Sequence, residues 1–74
     1  MSVFDLKKGE SAVVKTVAVD GAAGERLASL GVKSGQKVTV VAYSLFRGSV
    51  LILIGYNRLA IRKSVAGRIE VSPC

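Results

Sequence analysis

The 74-residue sequence contains no histidine, no tryptophan, one proline and one cysteine, Cys74. A lone cysteine excludes an internal disulfide. A zinc site of the usual kind needs several Cys or His ligands, and one chain of this composition does not supply them. Five acidic residues, scattered along the sequence, do not suggest an oxygen-ligand site either. General acid–base catalysis needs a positioned histidine, or a carboxylate or lysine held in a pocket with a shifted pKa. Neither histidine nor a cluster of carboxylates is present, and no base partners the serines or the cysteine. The sequence therefore predicts no catalytic residue, no cofactor-binding residue and no metal ligand; it reads as a non-enzyme, with Cys74 a plain terminal thiol. Long apolar stretches are also missing. The longest run, Val50 to Ile54, falls far short of the ~20 residues that span a bilayer. The first lysines, Lys7 and Lys8, follow the opening apolar residues instead of preceding them, the wrong order for a signal peptide. These features predict a single soluble cytoplasmic domain over residues 1–74.

Half of the chain is hydrophobic, mostly aliphatic, and the net charge is +6. The charge is uneven: from Arg26 onward eight basic residues face Glu70 alone, whereas the first 25 residues carry a slight acidic excess. A basic half favours an acidic partner, which could be nucleic acid, an anionic membrane face or an acidic protein surface; a plain solubilising face accounts for it equally well.

Val3 to Gly9 reads as an opening turn. Ser11 to Val19 has strand composition, ended by Asp20-Gly21, where Asp20 can cap a helix. Ala22 to Leu30 places Ala23, Leu27 and Leu30 on one helical face; Gly24 weakens that helix by about 1 kcal/mol relative to alanine. Gln36 to Tyr43 is a strand in which Val38, Val40 and Ala42 alternate with Thr39, Val41 and Tyr43. Ser44 to Ser49 is a loop, Val50 to Ile54 an apolar strand, and Gly55-Tyr56-Asn57 a turn in which Asn57 tolerates positive φ. Arg58 to Lys63 alternates, with Leu59 and Ile61 inward and Arg58, Ala60 and Arg62 outward. A brief turn at Ser64–Gly67 leads to a last strand, Arg68 to Val71, after which Pro73 and Cys74 trail off. Five strands in so few residues predict a mainly β fold, a small five-stranded antiparallel barrel with one helix between the first and second main strands.

The segment Gly31-Val32-Lys33-Ser34-Gly35-Gln36-Lys37-Val38-Thr39 superficially resembles a phosphate-binding loop. Such a loop follows a strand and opens a helix, so that backbone N–H groups meet the anion. Here the helix comes first, and its C-terminus presents carbonyls carrying the negative end of the helix dipole. Gly31 is therefore read as a helix cap, and Ser34-Gly35 as a tight turn; Gly48 and Gly55 are read as further turn glycines.

Arg26-Leu27-Ala28-Ser29-Leu30-Gly31-Val32-Lys33-Ser34-Gly35, continuing into Val38 and Val40, resembles the R-L-x-x-L-G-(apolar)-x-P-G signature of the FeoA family of bacterial ferrous-iron uptake proteins. The segment from Leu59 to Val71 is similar to the family's L-A-L-R-x-x-x-A-x-x-I-x-V ending, and Leu6-Lys7-Lys8-Gly9-Glu10 to its opening. The resemblance implies an SH3-like barrel. It also implies a cytosolic accessory, near the inner membrane only through its partner, of FeoB, a permease with a GTP-hydrolysing domain, acting by protein–protein contact. Two departures stand out: Ser34 replaces the usual proline, and the family's P-L-G-x-P loop becomes Leu45-Phe46-Arg47-Gly48-Ser49. The same signature occurs in regulatory domains of metal-dependent repressors, behind a DNA-binding winged helix; a chain that starts at this methionine leaves room for neither part, so the stand-alone protein is expected.

The residues expected to meet a partner are Leu45, Phe46, Arg47, Leu51, Leu53, Arg58 and Arg62. Phe46 either plugs the barrel end or stands out as an apolar contact. Leu51 and Leu53 either lie under the helix or form an apolar groove. Arg58, Arg62, Lys63 and Arg68 complete a basic set suited to salt-sensitive docking. Weak self-association stays open. The alternative is a small basic nucleic-acid-binding barrel; four aromatic residues offer little stacking surface for it, so no specific nucleic acid is expected.

Overall fold

The structure is a computed structural model and describes residues 1–73; the expected thiol at Cys74 lies outside them. Five strands, β1 (Ser11–Val17), β2 (Lys37–Tyr43), β3 (Ser49–Ile54), β4 (Asn57–Arg62) and β5 (Ile69–Pro73), form one antiparallel sheet in the order β4-β3-β2-β1-β5. Helix α1 (Gly21–Ser29) connects β1 to β2, and a four-residue helix α2 (Lys63–Ala66) connects β4 to β5. Short 3₁₀ turns cover Val3–Asp5 and Leu45–Arg47. No helix among the described residues is long and apolar enough to cross a membrane.

The sheet curls around Val3, Val14, Val38, Val40, Val50, Ile52, Ile54 and Ile69, all essentially buried. Alternation delivers them: Val38 and Val40 of β2 face Ile54 and Ile52 of β3, and Ile61 of β4 faces Val50. Among the described residues, no polar or charged side chain is buried, so the core carries no desolvation penalty that would need an internal partner.

Local signals in the sequence explain the helix and its exit. The N–H of Val32 bonds the carbonyl of Leu27 (2.9 Å), and the N–H of Gly31 bonds that of Ala28 (3.1 Å). This is a Schellman closure, with Gly31 at φ +98°. Val32 folds back and is buried beside Leu27. A Cβ at Gly31 would stand 3.0 Å from Ile54 Cγ2, so the position demands glycine on both backbone and packing grounds. Gly35 turns the chain into β2 at φ +90°.

Several boundaries and roles differ from the sequence reading. Strand β1 stops at Val17, not Val19, because the chain bends there to place the Val19 carbonyl against α1: a Cβ at Gly24 would lie 2.0 Å from that oxygen. Gly24 is thus a close-approach glycine and not merely a weak helix former. Asp20 precedes α1, but its side chain makes no capping hydrogen bond. Of the expected helical face only Leu27 is buried; Ala23 is exposed and Leu30 half-buried. In the β3–β4 turn the positive φ belongs to Gly55 (+58°), while Asn57 opens β4 opposite Ile54. Gly48 is right-handed (φ −75°), and a Cβ there would meet only Ser44 Oγ at 3.9 Å; the turn's left-handed positions are Phe46 and Arg47. Pro73 does not trail off but ends β5 opposite Ala12.

Candidate partner-docking surface

The candidate surface is built on an irregularity in β2. The β2–β3 register shifts between Val40, opposite Ile52, and Ala42, opposite Leu51. Val41 is the extra residue of a β-bulge. Beyond it the two faces exchange, and Tyr43, opposite buried Val50, turns toward the core. Its hydroxyl donates to the Leu6 carbonyl and has the Phe4 carbonyl alongside at 3.2 Å. Its ring meets Phe4 edge-on, with centroids 5.1 Å apart and an interplanar angle of 74°. Phe4 and Tyr43 therefore close the barrel end that Phe46 was one candidate to plug.

Phe46 is left outside. It is 93% exposed and Leu45 83% exposed, adjacent at the tip of the β2–β3 connection. The loop that carries them is pinned from several directions. The Ser44 N–H donates to the Ser49 carbonyl (3.0 Å), and the Ser49 N–H donates to Ser44 Oγ (2.9 Å). The Arg47 N–H bonds the Ser44 carbonyl (2.8 Å), and the Lys63 N–H bonds the Gly48 carbonyl (2.9 Å). The Arg47 guanidinium packs over Tyr43, 4.1 Å from its ring centroid, lies 5.1 Å from that of Phe4, and donates from one terminal nitrogen to the Phe4 carbonyl (3.2 Å). Arg47 thus works as an anchor across aromatic faces.

The anchoring holds an uncommon backbone. Phe46 and Arg47 have φ of +64° and +55°, a conformation that costs roughly 1–2 kcal/mol for a residue with a Cβ. Arg47 stands where the P-L-G-x-P loop has its glycine, so in this chain a left-handed position is taken by a residue with a Cβ. The cost falls on the residues that expose Leu45 and Phe46, a pattern frequent at ligand clamps and binding sites.

The structure brings only some of the expected residues together. Arg62 pairs with Ser49 in the β3–β4 register and, with Lys63, flanks the Leu45–Phe46 tip. Arg58 pairs with Leu53, near the other end of β3, beside the fully exposed Tyr56. Those two positions are about 13 Å apart along the strand. Leu51 and Leu53 lie on the outer sheet face, half-buried, next to Ala42 and Ala60 and next to Thr39 and Arg58 respectively. They do not line a common groove: Leu53 borders a cavity with Gln36, Lys37, Thr39 and Gly55 that does not include Leu51, and α1 covers neither, since its buried Leu27 joins the inner core. The groove instead lies against α1, between Ala23 and Leu30 and the Leu59 and Ile61 side of β4. The two stacked aromatics went unread because their proximity depends on the bulge and on contacts across about 40 residues. The 3₁₀ turn that carries Phe4 does have a sequence signal, Ser2-x-x-Asp5, and Asp5 Oδ2 accepts from the Ser2 N–H at 2.8 Å.

The FeoA domain model matches residues 1–73. The chain belongs to the FeoA family. Among solved structures, the FeoA of Stenotrophomonas maltophilia, described in complex with zinc as an SH3 domain protein and a candidate ferrous iron transport activating factor, is 34% identical with a TM-score of 0.83, over 97% of this chain and 89% of that one. Iron(II) transport protein A of Clostridium thermocellum is 27% identical with a TM-score of 0.91; the match covers 99% of this FeoA-family chain but only 45% of that protein. A manganese-dependent transcriptional repressor shares the fold at 19% identity and a TM-score of 0.85, over 96% of this chain and 39% of the repressor. Comparison with curated protein sequences finds no match. The fold is thus the mainly β, SH3-like architecture expected from the sequence. Among the described residues of this FeoA-family chain, no three His, Cys, Asp or Glu side chains cluster as metal ligands would.

Proposed function

We propose that this FeoA-family protein is a non-catalytic accessory of ferrous-iron uptake that docks Leu45 and Phe46 on the cytosolic part of a FeoB-type permease. The observation that carries the reading is the pinned, left-handed loop presenting both side chains almost fully to solvent. A contact that is already ordered loses little conformational entropy on binding, and an aromatic anchor is the usual centre of an interface. Arg62 and Lys63 beside the tip suit an acidic rim on the permease and speed the encounter. Family membership and relatives named for iron(II) transport support the pathway.

Deleting the gene is expected to lower Fe²⁺ uptake in iron-limited, anaerobic cells, and Phe46→Ala is expected to reproduce the defect with an unchanged circular dichroism spectrum. Wild-type uptake in the deletion overturns the pathway; wild-type uptake in both Phe46→Ala and Leu45→Asp overturns the loop as contact. The nucleic-acid reading gains little from the geometry. A stacking platform needs neighbouring rings, whereas exposed Phe46 and Tyr56 sit at opposite ends of β3. Titration with RNA and DNA at two salt concentrations separates the readings, since tight and steeply salt-dependent binding is the signature of the nucleic-acid one.

A further inference from the structure

We propose that the open edge of β4, with the groove between it and α1, is a second docking site, which takes an extended peptide of alternating acidic and apolar residues by adding it to the sheet. Strand β4 ends the sheet order, with β3 on one side only. The two-residue turn Gly55-Tyr56 makes Ile54 and Asn57 a hydrogen-bonded pair. Alternation then turns the N–H and C=O groups of Asn57, Leu59 and Ile61 toward β3, and those of Arg58, Ala60 and Arg62 toward the open edge. Among the described residues, the amides and carbonyls of Arg58 and Ala60 and the amide of Arg62 have no hydrogen bond outside the sheet, while the Arg62 carbonyl caps the first turn of α2. A row of free donors and acceptors is a template for an incoming strand.

The surroundings select the strand's side chains. Between α1 and β4 lies a groove of about 210 Å³, lined by Ala23, Leu30, Leu59 and Val65 among others, with Arg26 and Arg62 at its rim and no acidic residue in its lining. It is smaller than the about 300–1,000 Å³ of small-molecule sites, but it matches apolar side chains from one face of a strand. The opposite face of such a strand would lie beside the outward side chains of Arg58 and Arg62, about 13 Å apart along β4. Acidic residues there are complementary, and they meet the same positive excess that Arg26 extends.

A second copy of this chain is the competing occupant, and charge works against it. A two-fold antiparallel pairing of β4 with β4, centred on Ala60, sets Arg58 of one copy beside Arg62 of the other, twice, on one face. Like charges directly across a ladder destabilise it, so the edge is guarded against self-pairing while staying open to an acidic strand. The site does not use Leu45 or Phe46 and has only Arg62 in common with the permease reading, so Phe46→Ala separates the two.

The test is a short synthetic peptide alternating glutamate and valine, titrated by fluorescence anisotropy against the full chain, with amide hydrogen exchange followed by NMR. The peptide is expected to bind and to slow exchange at the amides of Arg58, Ala60 and Arg62. Arg58→Glu with Arg62→Glu is expected to weaken it about tenfold or more, and Phe46→Ala to leave it unchanged. N-methylation of the peptide's edge-facing amides, which alters nothing in the protein, is expected to abolish binding. The proposal is overturned by no binding, by binding that leaves those three amides exchanging freely, by equal affinity for a lysine–valine peptide, or by a β4-to-β4 dimer in sedimentation.

Discussion

The two connections that bracket β3 are built on opposite terms. The Gly55-Tyr56 turn places its one left-handed residue on glycine, at φ +58°, and a Cβ there would touch nothing within 4 Å. The Ser44–Gly48 connection places two left-handed residues on Phe46 and Arg47 and holds them with four hydrogen bonds and a cationic side chain over two rings. Both expose a large aromatic. Tyr56 follows from a minimal hairpin that would be as stable with another residue at its tip. Phe46 is held out by an arrangement that costs free energy and is offset by contacts of residues 4, 43 and 63. A strained loop with local anchoring argues for selection on what the loop presents; a relaxed turn carries no such argument.

That contrast breaks most visibly in cells. Leu45→Asp is expected to reduce Fe²⁺ uptake to the level of the gene deletion, whereas Tyr56→Asp leaves it at wild type; equal loss from both would remove the distinction. Next in size is the anchor itself. Tyr43→Phe deletes the hydroxyl that ties β2 to the Leu6 carbonyl and is expected to cost about 1–2 kcal/mol in urea unfolding, against under about 0.5 kcal/mol for Tyr56→Phe on the open surface. Backbone conformation supplies a third test of opposite sign at the two ends. Gly55→Ala forces a Cβ into the left-handed region and is expected to lose about 1 kcal/mol. Phe46→Gly relieves that same strain and removes a side chain that packs on little, so stability is expected to hold or rise by up to ~1 kcal/mol, even as uptake falls. The smallest effect is Arg47→Lys, which keeps the charge but loses the planar stack; about 0.5 kcal/mol of stability is expected to go, with faster amide exchange in Ser44–Gly48 and none in Gly55–Tyr56.

Legibility in the sequence followed the range of the signal. The α1 exit was readable because a Schellman closure needs only Leu27 to Val32 and one glycine, and the strands because alternation is local. Gly24 was misjudged for the same reason: its value lies in the Val19 carbonyl above it, which propensity does not see. The bulge left no mark, because Val40-Val41-Ala42 is apolar throughout and gives alternation nothing to break. Without the bulge, Tyr43 reads as outward, and the stack with Phe4 and Arg47 has no reason to exist. Arg47 consequently looked like a free basic contact, whereas its exposed side chain is laid across the Tyr43 and Phe4 rings. Leu45 and Phe46 were visible as an oddity, apolar residues in a polar loop, but only the filled barrel end shows why Phe46 stays outside.

The extra residue in β2 also governs which changes of length the family can tolerate. Strand faces repeat every two residues, so removing one position between Gly35 and Tyr43 would exchange inside for outside at everything downstream in that strand and strip the lid off the barrel end. Removing or adding two would restore the phase. Homologues that keep the Phe4–Tyr43 lid are therefore expected to hold this segment at constant length or to vary it in even steps, a parity rule that a set of aligned relatives can check without a single experiment on the protein.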